Sequence, residues 1–382
     1  MKKILALLIV AMLVLAACAS PAPAPAPAPA APDATPEATP APDTTPDPAP
    51  GGMRVALVTD YGTIDDGSFN QGSWEGVVAF AAPRGMAHEY IQPAEVSDAA
   101  YIDAIALAIE GGAEIIVTPG FLFAAAIYEA QDLWPDVFFV LIDAQPNLGP
   151  GTDARVAQNT VAVLYAEQES GFLAGYAAVM EGHRSLGFMG GIPVPPVVLF
   201  GTGFVEGAEF AAQQLGLAPG DITINYTYAM TFSPAPEVQT MAAAWYADGV
   251  EIIFAAAGGA GFSVMAAAEA AGALVIGVDI DQAGDSPTVV TSALKGLEAS
   301  VLNVLEDWEA GNFPGGQVKV FNAALDGVGL SMDTARFQNF TQAQYDAIFG
   351  QLAGGEIALS TTLGAEAHLG LDIEIVEIIH IG

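Results

Sequence analysis

Residues 55–71 read Val55-Ala56-Leu57-Val58-Thr59-Asp60-Tyr61-Gly62-Thr63-Ile64-Asp65-Asp66-Gly67-Ser68-Phe69-Asn70-Gln71. The opening is a short apolar run with no polar alternation, which predicts a strand covered on both faces, as in parallel sheets flanked by helices. In open sheets of that kind ligands bind beyond the carboxyl ends of the strands. Three carboxylates, an aromatic ring and a side-chain amide come directly after this strand, so chemistry is expected there.

The pattern repeats along the chain. Candidate strands are 55–59, 115–118, 138–142, 186–189, 252–255, 275–278 and 288–291. Between them, Ala-rich stretches predict helices over 73–81, 101–110, 124–133, 167–180, 204–215, 236–247, 263–271 and 295–310. Alternating strand and helix predict an α/β fold of two doubly wound parallel-sheet lobes, because 330 residues from Met53 onward exceed one compact core. Asp143, the Gly258-Gly259-Ala260-Gly261 turn and Gly277-Val278-Asp279 fall at or just after strand ends, and Lys295 follows the last strand.

The chain has 382 residues, 44 acidic and 9 basic, a formal charge of −35, and one cysteine. The acidic content is ordinary; Lys and Arg are scarce. A nucleic-acid partner needs a basic stripe that this chain cannot supply. Low pH neutralises carboxylates and leaves few positive charges to repel, so the composition predicts tolerance of acid. One cysteine excludes a disulfide framework and a cysteine-built zinc site. His88, His183, His368 and His380 lack metal-ligand spacing, and neither G-x-S-x-G nor H-E-x-x-H occurs, so no cofactor, metal or catalytic residue is expected.

Residues 1–17 carry Lys2 and Lys3, then a 14-residue apolar run ending Leu15-Ala16-Ala17 before Cys18. That run is too short to span a bilayer and reads as a signal peptide. The small residues before Cys18 resemble a bacterial lipobox, which makes Cys18 the lipidated first residue of an anchored protein; the alternative is cleavage near Ala19. Over residues 19–52 lie 12 of the 26 prolines, predicting a polyproline-rich stalk (18–52 with Cys18) that reaches at most ~100 Å at ~3.1 Å per residue.

From Thr59 to Gly76 the chain resembles the opening T-D, G-x-I-D-D-x-S-F-N-Q and W-E-G pattern of the basic membrane protein, or PnrA-like, family: substrate-binding lipoproteins of nucleoside ABC transporters. Glu169 to Gly175, Phe254 to Gly261, Gly277-Val278-Asp279 and Thr291-Ser292 with Lys295 resemble further motifs of that family. One departure lies between Gly190 and Gly207, where Leu199 stands in place of a basic residue before Phe200. The resemblance implies a type I periplasmic-binding-protein fold, with lobe 1 at 53–162 plus 282–312 and lobe 2 at 163–281 plus 313–382. It also implies a monomeric receptor, lipid-anchored on the extracytoplasmic face of the cell membrane, whose partners are a nucleoside and an ABC permease.

A nucleoside offers a flat base and a hydroxyl-rich sugar. Phe69 and Phe200, one from each lobe, would sandwich the base, with Phe204 as the rival second ring. Asn70 would read a base edge with donor and acceptor, and the resemblance adds Asp60 and Asp143 as acceptors. Asp279 would accept from ribose hydroxyls, Lys295 would donate to ribose or orient Asp279, and Gly258 and Gly259 would let backbone amides approach. Ser68, Asp65 and Asp66 are expected to cap the following helix. Two other readings remain: a nucleoside hydrolase-like enzyme, whose calcium-site aspartate spacing Asp60, Asp65 and Asp66 do not match, and a ligand-sensing receptor for another small molecule.

Overall fold

The structure is a computed structural model and describes residues 54–60, 62–149 and 152–381. The leader (1–17), Cys18 and the proline-rich linker lie outside the described residues. Two sheets form the two lobes. The first holds β1 (Arg54–Val58), β2 (Ala87–Ile91), β3 (Ile115–Pro119), β4 (Phe138–Ile142) and β5 (Thr160–Tyr165), joined late in the chain by β11 (Val318–Phe321). Its order is β11-β5-β4-β3-β1-β2, with every pair parallel. The second holds β6 (Ser185–Gly190), β7 (Ile222–Tyr228), β8 (Ile252–Phe254), β9 (Leu274–Asp279), β10 (Val289–Lys295), β12 (Val328–Leu330) and β13 (Val376–His380), in the order β12-β10-β9-β8-β6-β7-β13. Only β12 runs antiparallel, against β10. The central strands are buried along nearly their whole length, as expected of parallel sheets with helices on both faces.

The helices are α1 (Phe69–Ala81), α2 (Asp98–Glu110), α3 (Ala124–Leu133), α4 (Glu167–Glu181), α5 (Pro195–Leu215), α6 (Pro236–Ala247), α7 (Gly261–Ala271), α8 (Leu297–Glu309) and α9 (Gln342–Ala353). Glycines set the spacing of α4 and α5. A Cβ on Gly171 or Gly175 would collide with the carbonyls of Phe200 or Phe204, and one on Gly203 or Gly207 with those of Gln168 or Phe172. The Glu169 to Gly175 motif is therefore a packing face that seats Phe200 at a fixed height.

Three crossovers join the lobes, between Tyr165 and Glu167, between Lys295 and Leu297, and between Phe321 and Val328. The first lies past the expected boundary at 162, because β5 runs to Tyr165 in the first sheet, and the last two differ by more. Residues 282–295 belong with the second sheet because β10 pairs with β9 in parallel register, and residues 318–321 belong with the first because β11 pairs with β5. The strand ending at Lys295 is longer than its apolar start at Val289 suggests, so Lys295 closes a strand and does not open a helix.

Candidate ligand-binding site

The carboxyl ends of both sheets face one cleft, a cavity of about 690 Å³ counting the part open to solvent. From the first lobe it is lined by Asp60 after β1, Phe69 and Asn70 at the start of α1, Phe121 after β3 and Asp143 after β4. The second lobe contributes Phe200 on α5, Phe232 after β7, Gly258 and Gly259 after β8, Asp279 ending β9 and Lys295 ending β10. All nine residues expected to bind ligand line this cavity. Asp143 and Asp279 adopt left-handed backbone conformations, φ 63° and 68°, which cost about 1–2 kcal/mol for most L-residues but are accessible to Asp. The same local turn thus ends a strand in each lobe with a carboxylate at the cleft.

Those carboxylates converge on Lys295. Its Nζ donates to Asp143 Oδ2 and lies 3.3 Å from Glu167 Oε1 and 3.9 Å from Asp279 Oδ1. Burial works against the ammonium, but Asp143, Glu167 and Asp279 together outweigh it and hold the lysine charged, well above its usual pKa. Burial pushes Asp143 and Asp279 up, with Lys295 only partly offsetting it, and pushes Glu167 up to about 8. The ammonium also sits 4.9 Å from the centroid of Phe69 and 5.5 Å from those of Tyr165 and Phe200, within cation–π range.

The start of α1 forms a second carboxylate centre. Asp66 accepts from the backbone amides of Ser68, Asn70 and Gln71 at 2.9–3.1 Å, which is the capping role expected of it. Asp65 is exposed. Ser68 does not cap: its Oγ donates to Asp279 Oδ2 at 2.6 Å, across the lobes. A second tie crosses beside it, from Gln282 Nε2 to the carbonyl of Gly67 at 2.8 Å.

Asn70 departs from expectation in a way that changes what it can recognise. Its Nδ2 donates to Asp60 Oδ1 at 3.1 Å and to Asp66 Oδ2 at 3.0 Å. Reversing the amide would set its oxygen against two carboxylates, so the orientation is fixed. Oδ1, buried and without a hydrogen-bond partner, is what remains for a ligand. Asn70 therefore offers an acceptor only.

Phe200 sits on a helix, not a loop. Pro195 and Pro196 occupy the first turn of α5, where the missing amide hydrogens are not needed. Phe204, one turn on, is outside the cavity lining and packs against Phe254 and Phe188, with centroids 5.4 and 6.4 Å away. Of the two candidate rings, Phe200 alone lines the cleft. Glu167, Phe121 and Phe232 are additions. Each follows a strand end, but β5 and β7 are not among the strands expected from sequence, which hid Glu167 and Phe232; Phe121 was legible two residues after β3.

The model of the ABC transporter substrate-binding, PnrA-like family matches residues 53–352. The chain belongs to this family. The nucleoside-binding protein BmpA of an ABC transporter from Lactococcus lactis subsp. cremoris is 29% identical over 326 residues, covering 78% of this chain and 88% of that protein. Basic membrane protein D of Borreliella burgdorferi is 27% identical over 293 residues, covering 75% and 81%. Among solved structures, a solute-binding protein from Aeropyrum pernix K1 superposes with a TM-score of 0.70 at 22% identity, covering 83% of this chain and 95% of that one. At that identity the likeness bears on the fold alone.

As a PnrA-like protein the chain is the substrate-binding component of an ABC transporter. Its departure from the family pattern before Phe200 leaves the ring in the cleft, because the glycine-matched packing of α4 on α5 fixes that helix independently of residue 199. Among the described residues no helix is long and apolar enough to cross a membrane.

Proposed function

We propose that the protein is an extracytoplasmic lipoprotein, anchored through Cys18, that closes its two lobes on a nucleoside and presents it to a membrane permease. The observation that carries this reading is the pairing of Phe69 and Phe200, from opposite lobes, beside a buried lysine–carboxylate cluster. Two rings suit the faces of a base, while Asp279 and Lys295 suit vicinal hydroxyls. Gly258, at φ 54°, holds the turn after β8 in a conformation natural to glycine, beside Gly259. The ties from Ser68 and Gln282 to the opposite lobe support closure as the capture step.

The hydrolase reading loses its main support, since Asp65 faces solvent and Asp66 is engaged by α1 and Asn70. Calorimetric titration with guanosine, inosine, adenosine, cytidine and ribose, after unfolding and refolding to remove carried-over ligand, tests the proposal. Saturable nucleoside binding that is lost in Asp279→Ala and Phe69→Ala, with the nucleoside recovered intact, is the expected result. Recovery of free base and ribose would mean catalysis, and no nucleoside binding would refute the ligand class.

A further inference from the structure

The charges around Lys295 do not balance. One ammonium faces three carboxylates, Asp143, Glu167 and Asp279, and none of the four side chains is more than 8% exposed. Ser68 satisfies one oxygen of Asp279, and Lys295 satisfies Oδ2 of Asp143. Asp143 Oδ1 is left buried with no hydrogen-bond donor. Glu167 lies beside it, since its Oε1 and Asp143 Oδ2 both contact the same buried ammonium of Lys295. Two ionised carboxylates repel in such a space, whereas one proton between them makes a strong hydrogen bond.

Among the described residues, the titratable groups around Glu167 and the ammonium it shares are these. Lys295 comes from β10, Asp143 from the end of β4 and Asp279 from the end of β9. Tyr165, from β5, has its hydroxyl tied to Ser300, and Asp60 lies behind Asp143. Of these described groups Lys295 alone is cationic, and it is already shared.

We propose that Glu167 is a positioning residue that carries a proton at neutral pH, donates it to Oδ1 of Asp143, and so holds Asp143 and Lys295 in the arrangement that receives ligand. The position is suited to this: Glu167 opens α4 directly after the first crossover, and Lys295 ends β10 directly before the second, so the pair ties two crossovers together. Burial is the main cause that raises Glu167 to about 8, and the attraction of Lys295 only partly offsets it. Above that pH the proton leaves, Glu167 and Asp143 repel, and Lys295 is drawn off its place.

The inference deepens the nucleoside reading and rests on it for the ligand. Adenosine is the probe, because its base does not titrate between pH 6.5 and 9.5. With full-length protein in detergent, wild-type affinity should fall about 30-fold across that range, the fall in protonated fraction for a group titrating near 8. Glu167→Gln, whose amide donates to Asp143 at every pH, should give a flat profile, and Glu167→Ala should bind weakly throughout. Parallel profiles for wild type and Glu167→Gln, or Glu167→Gln as weak as Glu167→Ala at pH 6.5, would overturn the assignment.

A ligand-free measurement separates the two ideas. Carbon-13 resonances of the glutamate carboxyls should include one, absent from Glu167→Gln, that titrates near pH 8. If it titrates below pH 6, the proton assignment fails whether or not a nucleoside binds. If it titrates near 8 and no nucleoside binds, the proton assignment stands and the ligand reading fails.

Discussion

At the cleft, burial raises Glu167, Asp143 and Asp279. At the C-terminal strap of residues 354–381, His368 of the strap and Glu209 beneath it move the other way. His368 is lowered to about 4, by burial first and by His380 second. Burial pushes Glu209 up, but hydrogen bonds from Val376, Glu374, Gln213 and Ile375 outweigh it and hold its carboxyl below the usual range. Glu206, which takes only the Ser360 amide, stays raised. Linkage then gives the two regions opposite responses to pH. An acid with a raised pKa, such as Glu167, stabilises the fold below about 4.5, and that contribution is lost as pH rises toward 8. Glu209 contributes above about 4.5 and His368 above about 6.5; both contributions are lost as pH falls. The cleft lies within the residues matched by the family model, whereas the strap lies beyond residue 352. Acid should therefore loosen the strap while the cleft holds.

The strongest way to break this comparison is Lys295→Met. It leaves the buried carboxyls of Asp143, Glu167 and Asp279 with no cation, and removing one partner of a buried ion cluster costs about 3–5 kcal/mol. The denaturant midpoint should drop accordingly, and ligand binding should vanish. Its deficit should shrink as pH falls toward 5 and the carboxylates protonate. A deficit that grows in acid would mean that Lys295 does not neutralise this cluster.

Glu209→Ala should come next. The amides of Glu374, Ile375 and Val376 would lose their acceptor where β13 joins β7. Unsatisfied buried donors cost about 1–3 kcal/mol. Hydrogen exchange should show faster exchange in β13 with the cleft strands unchanged; uniform loss of protection would show that strap and cleft unfold as one unit.

How much of this was readable beforehand depended on burial. The central strands at Val55, Ile115, Phe138 and Val275 are covered on both faces, so their runs are apolar without a break. β7 alternates, Ile222-Thr223-Ile224-Asn225, because one of its faces is only partly covered, whereas β11 and β13 are edge strands with little cover, and in Val318-Lys319-Val320 the two valines are the exposed side chains. A search for unbroken apolar runs passes over them. Asp279, Asp143 and Lys295 were legible because they end or follow unbroken strands. The Ser68–Asp279 bond joins residues 211 apart in sequence, and no local pattern announces it. The same is true of the amide of Asn70, whose orientation depends on Asp60 ten residues away.

Ser68→Ala tests the tie across the cleft. Its hydroxyl bonds a buried carboxylate at 2.6 Å, and hydrogen bonds to charged groups contribute about 1.5–3 kcal/mol. Because that bond spans two lobes, its loss should fall mainly on affinity, weakening ligand binding about 10-fold with a smaller change in melting temperature. The reverse split would show that Ser68 serves the fold of one lobe and not closure.

His368→Phe is the smallest change at neutral pH and the sharpest probe of the contrast between strap and cleft. The imidazole is buried and stacks on Tyr226 with centroids 3.8 Å apart, while exposed His380 lies parallel at 5.4 Å. Phenylalanine can keep the stack, so stability at pH 7.5 should change by less than about 1 kcal/mol. An unfolded chain protonates His368 near pH 6.5, whereas the folded chain resists until about 4. Wild type should therefore lose stability across that interval, and the variant should lose less, with the gain confined to exchange rates in 367–380. If both melt in parallel from pH 7.5 to 4.5, His368 carries none of the strap's acid response, and only a loss below about pH 4.5 would belong to Glu209. A wild-type domain that collapses below pH 5, cleft included, would also remove the acid tolerance expected from its scarcity of Lys and Arg.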